Sequence, residues 1–567
     1  MLAPVSRGAA QAVTVPAGAR ASTSCDGAIV SAIDIRAHQP LVVGVAAEAL
    51  DKTERAAGVR FATTHADVIR AYLRVAVGER CTERDRSESE RLLRAQPFIA
   101  QAGVRAVPDG PGRVRLLVDV VDELPVIVGG SLGQGTLKAV ELGTQNLSGR
   151  GLMLVAHYDR GFAYRDGFGA RAVQYGAFGG PDYIALSAER RTLGEALSVE
   201  VAQPFLTDLQ RTASHASVNE ASYYAGVVRP DGPDVALYTR RLSYDVGWVA
   251  RLAHRNGRGT VGLVGGAILG EDVRTGPSSV IVSDSGVVMA PVPELGVQYG
   301  SYGVTRVAAI GGLRSLRFLT VRGFDALRAR QDVGIGIQLD LLAGASVLAT
   351  PGASDVFAAG DLYAGGGDED SFFAARLLGE GRENHGSGRR DGVVASGRFS
   401  WYARATPGRT TIMSVDASAV QHLAFPVQLT FRDYDGGLLG FPGATSAGGQ
   451  RVVARVEERG LIRLFTDRAD FAVAAFADAG KLWAGDVPFG ATTGIHSSVG
   501  FSLLGTYPTG GKRIYRMDLA VPLNPQRGGS RFAVRFSSGD RTGLLWLEPG
   551  DVSRARTGAV PANLMKW

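Results

Sequence analysis

The chain has 567 residues, 45 % hydrophobic and 20 % charged, with 76 glycines; it is too apolar for disorder and lacks the Gly-X-Y period of collagen. No run approaches the roughly 18 apolar residues of a membrane helix, which excludes a helical membrane protein. The net charge of +6 comes from arginines spread singly among acids rather than gathered into a basic patch, so nucleic acid is not an expected partner.

Residues 1–24 show no apolar run of about 7–15 residues, so no secretory signal is visible. For an exported protein, an upstream start or a removed leader is then expected. Residues 1–26 read as a flexible N-terminus and 27–124 as a small α/β domain. A strand over 29–36 carries Ile33 and Ile35 on one face. Residues 65–77 set Ile69, Tyr72, Leu73 and Ala76 at helical spacing, stopped by Gly78. Ser87 and Glu90 form a capping box that opens a second helix with Leu92 and Leu93, ending at Pro97. Strands over 102–107 and 113–121 flank the turn Pro108-Asp109-Gly110-Pro111-Gly112. Cys25 and Cys81 are the only cysteines and offer no zinc spacing; an oxidising compartment would allow one disulfide.

Past Pro125 the pattern turns to alternation. Tyr238, Leu242, Tyr244, Val246 and Trp248 share a face opposite Arg241, Ser243, Asp245 and Arg251. Val333, Ile335, Ile337, Leu339 and Leu341 alternate with Gly334, Gly336, Gln338 and Asp340. Phe399 and Trp401 oppose Arg398, Ser400 and Tyr402, and Phe532, Val534 and Phe536 oppose Ala533, Arg535 and Ser537. Strands of about ten residues with one apolar and one polar face mark a transmembrane barrel with a wet lumen. A soluble sandwich would carry many lysines on its polar face, and a propeller would repeat every 40–50 residues or so; neither signal is present. The barrel spans 125–540. At roughly 26 residues per strand and connection it holds 16 strands, an even number, followed by a tail over 541–567.

Several motifs carry a resemblance. Thr64-His65, Val68-Ile69-Arg70, Gly78-Glu79 and the run Ser87 to Arg94 resemble a POTRA domain, in the manner of single-POTRA members of the BamA/TamA outer-membrane assembly family (bacterial surface antigen superfamily). Phe476, Asp478, Gly480 and Trp483 are similar to that family's Phe-x-Asp-x-Gly-x-x-Trp strand, with Asp478 in the aspartate position. Arg516, Asp518, Pro522 and Leu523 resemble its penultimate strand. The family's Arg-Gly-Phe/Tyr motif, on a loop folded into the lumen, has two candidates. Arg322-Gly323-Phe324 matches by letter but lies too early, with about ten strands still to come. Gly437, Leu438, Leu439, Gly440 and Phe441 lie where the loop belongs, with Leu439 in place of the arginine. The resemblance implies that the missing arginine would have met Glu457 and Asp478 on the inner wall, so Arg455 and Arg459 become their expected partners. In a POTRA arrangement Cys25 and Cys81 come within reach of a disulfide.

Other signals read as structure. Gly129-Gly130-Ser131-Leu132-Gly133 fits the hydrolase elbow by letter but opens the first barrel strand with no helix behind it. The histidines form no metal motif, and Gly365 to Asp370 lacks EF-hand spacing, so neither a metal nor a cofactor nor an enzymatic activity is expected. The resemblance implies a Gram-negative-type outer-membrane protein with its POTRA domain in the periplasm. Its partners would be outer-membrane lipid and unfolded client proteins, met at the POTRA domain and at a weak seam between the first and last strands. That seam is assigned to Val128, Gly129, Gly130 and Ser131 opposite Phe532, Val534 and Phe536. An exposed edge there would template client strands. The alternatives are a dedicated two-partner-type secretion pore and a passive porin.

Overall fold

Twenty strands close into one antiparallel barrel in the computed structural model, and a separate three-stranded sheet with two helices packs against one end of it. The structure describes residues 23–40, 62–133, 136–162, 165–191, 194–252, 259–283, 286–385, 390–433, 436–443, 445–462, 469–525, 531–540, 548–556 and 564.

The N-terminal unit has the order β1 (Ile29–His38), α1 (Ala66–Arg70), α2 (Glu83–Arg94), β2 (Ile99–Pro108) and β3 (Arg113–Asp122). Strand β3 is central, parallel to β1 and antiparallel to β2. The helices bury Ile69, Tyr72, Leu92 and Leu93 against Phe98, Val104, Val118 and Val120. Such side chains stabilise by about 1.5–3 kcal/mol each when fully buried. Cys25 and Cys81 are joined, with their Cα atoms 5.4 Å apart.

Three local expectations need correction. The helix expected over 65–77 stops at Arg70: Tyr72 N and Leu73 N bond the carbonyls of Ile69 and Arg70 three residues back, and side chains take the amides beyond. Ser89 Oγ accepts from Arg74 N at 2.8 Å, and Glu79 Oε2 accepts from Ala76 N at 2.8 Å. Helix α2 opens a turn before the Ser87 box, because Thr82 caps it by accepting from Asp85 N at 3.1 Å. Of the expected flexible N-terminus, residues 1–22 lie outside the described residues, but 23–26 are tied down. Thr23 N donates to Ala106 O at 3.0 Å, and Asp26 accepts from Glu83 N at 2.8 Å.

The barrel wall begins with β4 (Val126–Gly133), β5 (Thr136–Leu147), β6 (Leu152–Phe162), β7 (Arg165–Tyr175), β8 (Tyr183–Arg191) and β9 (Gly194–Gln203). Longer strands follow: β10 (Thr212–Val227), β11 (Val235–Arg251) and β12 (Val261–Ser283), from which the four-residue arm β13 (Gly286–Met289) folds back before the helix α3 (Pro293–Gln298). Next come β14 (Tyr302–Arg322), β15 (Arg330–Ala349), β16 (Asp355–Gly367), β17 (Ser371–Asn384), β18 (Arg390–Thr406) and β19 (Arg409–Gln421). After a long excursion holding the small pair β20 (Leu429–Thr430) and β21 (Ala447–Gly448), the wall resumes with β22 (Gln450–Ile462), β23 (Asp470–Trp483), β24 (His496–Thr506), β25 (Arg513–Pro522) and β26 (Ala533–Asp540). Strand β26 is hydrogen-bonded to β4 and closes the ring.

Twenty wall strands among the described residues replace the sixteen expected. The error is one of spacing: six strands fit into residues 126–203, about 13 residues apiece, half the length assumed. The alternation itself is physical. Val246, Trp248, Ile337, Leu341 and Phe399 are exposed on the outer surface, while Asp245, Gln338, Asp340, Ser400 and Tyr402 are buried inside. An apolar outer face is what a hydrocarbon surround requires, and closure leaves no backbone edge to meet lipid unsatisfied. We refer to the end against which the N-terminal sheet packs as the lower mouth.

Candidate functional site in the lumen and at the seam

The excursion between β19 and β22 begins and ends at the upper mouth and folds inward. Its Phe425, Leu429, Phe431, Leu438 and Phe441 pack with Val394, Val420, Val453 and Leu482 of the wall. His496 lies against both Phe431 and Phe441, its ring 5.3 and 5.6 Å from theirs. The segment Gly437 to Phe441 lies against β23 and β24. Leu439 N donates to Asp478 Oδ2 at 2.9 Å, and Gly440 N donates to Ser498 Oγ at 3.2 Å. Two glycines permit this approach: a Cβ on Gly440 would come within 2.7 Å of Ser498 Cβ, and one on Gly437 within 2.1 Å of Phe431 O.

The acids of the inner wall are met by wall arginines. Asp478 is 3 % exposed and accepts from Arg455 at 3.2 Å and from Ser498 Oγ. Arg455 also donates to Gly437 O at 3.2 Å, so one guanidinium holds both the loop and its anchor. Glu457 pairs with Arg459 at 2.8 Å and with Arg516 at 2.6 Å. Arg516 also reaches Asp518 at 2.6 Å. Leu439 points into an apolar niche of Phe476 and Ala520. Sequence reasoning paired Arg455 and Arg459 with these acids but missed Arg516 and Ser498. Arg516 carried a signal, since Arg516 and Asp518 share a face with period two; Ser498 carried none.

The other motif candidate, Arg322-Gly323-Phe324, lies in the turn between β14 and β15 at the lower mouth. There Phe324 stacks on Tyr402 with ring centroids 5.2 Å apart, and Arg459 donates to Phe324 O and Asp325 O, both at 2.9 Å. This turn folds inward as well, from the opposite end to the loop.

At the seam, β4 and β26 have eight described residues each, whereas β10 and β11 stay in register over sixteen. Val128, Phe532 and Val534 are exposed on the outside, and the Cβ position of Gly129 lies 3.2 Å from Ser538 Oγ. The last strand starts at Ala533, so Phe532, assigned to the seam from the pattern, precedes it.

The N-terminal unit packs against the lower mouth. Arg94 of α2 grips Asp332 through two hydrogen bonds of 3.0 and 2.9 Å, and Arg91 lies 3.9 Å over the Phe318 ring. Lys512 donates its backbone N–H to Glu123 at 2.8 Å and its Nζ to Gln96 O at 3.0 Å. Asp122 accepts from Thr64 N and Thr64 Oγ1 at 2.8 and 2.7 Å, and Thr64 in turn accepts from Asn146 of β5 at 2.7 Å. Burial pushes the Asp122 carboxyl up to about 6, against the opposing pull of the Thr64 donors.

Most of the tail expected over 541–567 lies outside the described residues. Its described part, residues 548–556 with the helix α4 (Gly550–Ala555), sits inside the barrel. Asp551 forms a buried pair with Arg451 at 2.6 Å, Arg556 pairs with Glu548 at 2.6 Å and Glu380 at 3.7 Å, and Arg241 donates to Arg554 O at 3.0 Å. Arg241, Glu380 and Arg451 belong to β11, β17 and β22, and only a segment in the lumen can touch all three. Leu564 is buried beside Phe205, whose N–H donates to Leu564 O at 2.6 Å.

These features define a closed barrel with an inward loop at one mouth, an α/β unit at the other and its own C-terminal segment between them. No family model and no curated protein matches the chain. Among solved structures the chain is similar to BamA from Haemophilus ducreyi lacking POTRA domains 1–3, with 12 % identity, 90 % of this chain and 85 % of that chain covered, and a TM-score of 0.40. It is also similar to CdiB from Escherichia coli (12 %, 90 % and 76 %, TM-score 0.47) and to CdiB from Acinetobacter baumannii (10 %, 91 % and 74 %, TM-score 0.42).

Proposed function

We propose that this chain is an outer-membrane barrel that assists the insertion of other proteins by templating their strands at the β4–β26 seam. The observation that carries this reading is the pairing of two strands of eight described residues each, one glycine-rich, at the point where the ring closes. Glycine weakens a strand by its entropy and its lack of packing. A short ladder is the cheapest place to part the wall, and a client strand pairing there keeps every backbone group satisfied in lipid. The N-terminal unit is then a periplasmic POTRA-type domain, docked where clients arrive. The work needs neither nucleotide nor metal. The filled lumen argues against a passive porin. Depletion of the protein followed by an inventory of outer-membrane and secreted proteins tests the reading. Loss of several outer-membrane barrels is expected; loss of one secreted protein alone would replace insertion with dedicated secretion, and no loss at all would reject both.

A further inference from the structure

The described tail residues hold a position that nothing in the wall requires. Strand β26 closes the ring by Asp540, yet residues 548–556 lie back in the lumen, wedged beneath the inward loop. The two elements share one clamp: Arg451 donates to Thr430 O of the loop at 2.5 Å and to both carboxylate oxygens of Asp551 at 2.6 and 3.0 Å. A cavity of about 230 Å³ remains where loop, tail, wall and lower turn meet, lined by Leu439, Glu548, Arg455 and Asp325 among others. Loop and tail therefore fill the same channel from opposite sides.

The character of the tail's contacts differs from that of a core. Only Val552 and Ala555 of this segment join the apolar cluster; its other ties to the barrel include Asp551 to Arg451 and to Thr430 N, Arg556 to Glu380 and Leu378 O, Ser396 to both Glu548 and Arg556, and backbone carbonyls to Arg241. Buried ion pairs are close to balanced between Coulomb attraction and lost hydration, so separating them into a wet lumen is far less costly than exposing an apolar core. The docked and undocked states of such a segment lie near one another in free energy, and a modest push moves the equilibrium.

The geometry points to residues 548–556 as a displaceable plug: the protein's own C-terminal segment closes the lumen, and its release opens a conducting path. This rests on the membrane-barrel reading, which heat-modifiable gel mobility of each variant checks separately. The test is ion conductance across planar lipid bilayers. The full chain should show rare openings, and a chain ending at Leu547 should conduct steadily. Asp551→Ala in the full chain should raise the open probability at least about tenfold, the change that loss of even one of its two charge-assisted hydrogen bonds to Arg451 makes in a two-state equilibrium. A full chain carrying Arg451→Cys and Asp551→Cys, joined by a reducible bis-thiosulfonate linker, should fall silent and conduct again on reduction, with the unsubstituted chain under the same reductant as control. Because the linked chain keeps every residue of the tail, it decides the matter even where the shortened chain fails to fold. Unchanged conductance in the linked chain, or a folded shortened chain as silent as its parent, would overturn the plug.

Discussion

Asp478 is the acid on which the inward loop hangs, and its removal should free that loop. The carboxylate accepts from Leu439 N, Arg455 and Ser498, and it is almost wholly buried. Asp478→Ala leaves a loop amide without its acceptor, at about 1–3 kcal/mol, and strips a half-buried guanidinium of its counter-ion. Breaking a buried pair by deleting one partner costs about 3–5 kcal/mol. Arg455 keeps Gly437 O and some water, so the lower end, about 3 kcal/mol, applies. That corresponds to roughly a hundredfold rise in the population with the loop released. Asp478→Asn keeps the shape and one acceptor, and should cost about half as much. The assay is protease cleavage at Arg432, which flanks the segment, in the membrane-embedded protein. Cleavage rates should rise in the order parent, Asn, Ala. An alanine variant as resistant as the parent would refute the claim that Asp478 anchors the loop.

The niche at Leu439 allows a compensation test. Arg455→Ala should loosen the loop by about 1–2 kcal/mol, and adding Leu439→Arg should recover part of this, since the Leu439 backbone nitrogen is only 2.9 Å from the Asp478 carboxylate; protease resistance reads both. At the lower mouth, Asp332→Ala should weaken docking of the N-terminal unit by about 2 kcal/mol, with Glu90 still holding Arg94, seen as faster hydrogen exchange over residues 91–96. The Asp122 carboxyl titrates at about 6 in the fold against 3.8 as its ordinary value. A raised acid favours the fold at low pH, so its contribution, on the order of 3 kcal/mol, is full below about pH 4 and lost as pH rises to about 6. Asp122→Asn should flatten that span of the stability–pH curve measured by urea unfolding in detergent. Reducing the bond between Cys25 and Cys81, which closes 56 residues, should cost the N-terminal unit about 4 kcal/mol in the chain-entropy model, read as a lower midpoint in the same unfolding.

Which parts of this molecule could be read in the sequence follows from the range of the forces involved. The outward faces of β11 and of β15 from Ile337 on were legible because alternation is a property of neighbouring residues and lipid imposes it on every strand, whereas Val333, expected on the same face, is buried with Phe324 and Tyr363. The meeting of Arg455 with Asp478 was legible because both lie on period-two faces of adjacent strands, with Arg455 directly opposite Asp478 in register. The strand number was not, because the tight spacing of β4 to β9 depends on turns rather than on faces. The shortness of α1 was not, because Ser89 of the next helix captures the amide of Arg74. The place of the tail was hidden for a similar reason. Asp551 and Arg451 are a hundred residues apart, and nothing local in residues 548–556, where only Val552 and Ala555 join the apolar cluster, says that they turn back into the barrel.

The most direct test of the seam is to lock it. Gly129→Cys with Ser538→Cys places two thiols where the Cβ of residue 129 lies 3.2 Å from Ser538 Oγ, within disulfide reach. Each single substitution serves as control, because a Cβ at 129 also meets Glu141 Cβ at 3.3 Å. In cells depleted of the unlocked protein, the oxidised double variant should reach the outer membrane, keep its heat-modifiable mobility and fail to support insertion of other barrels, with activity returning on reduction. Full insertion activity in the locked, oxidised form would contradict the account.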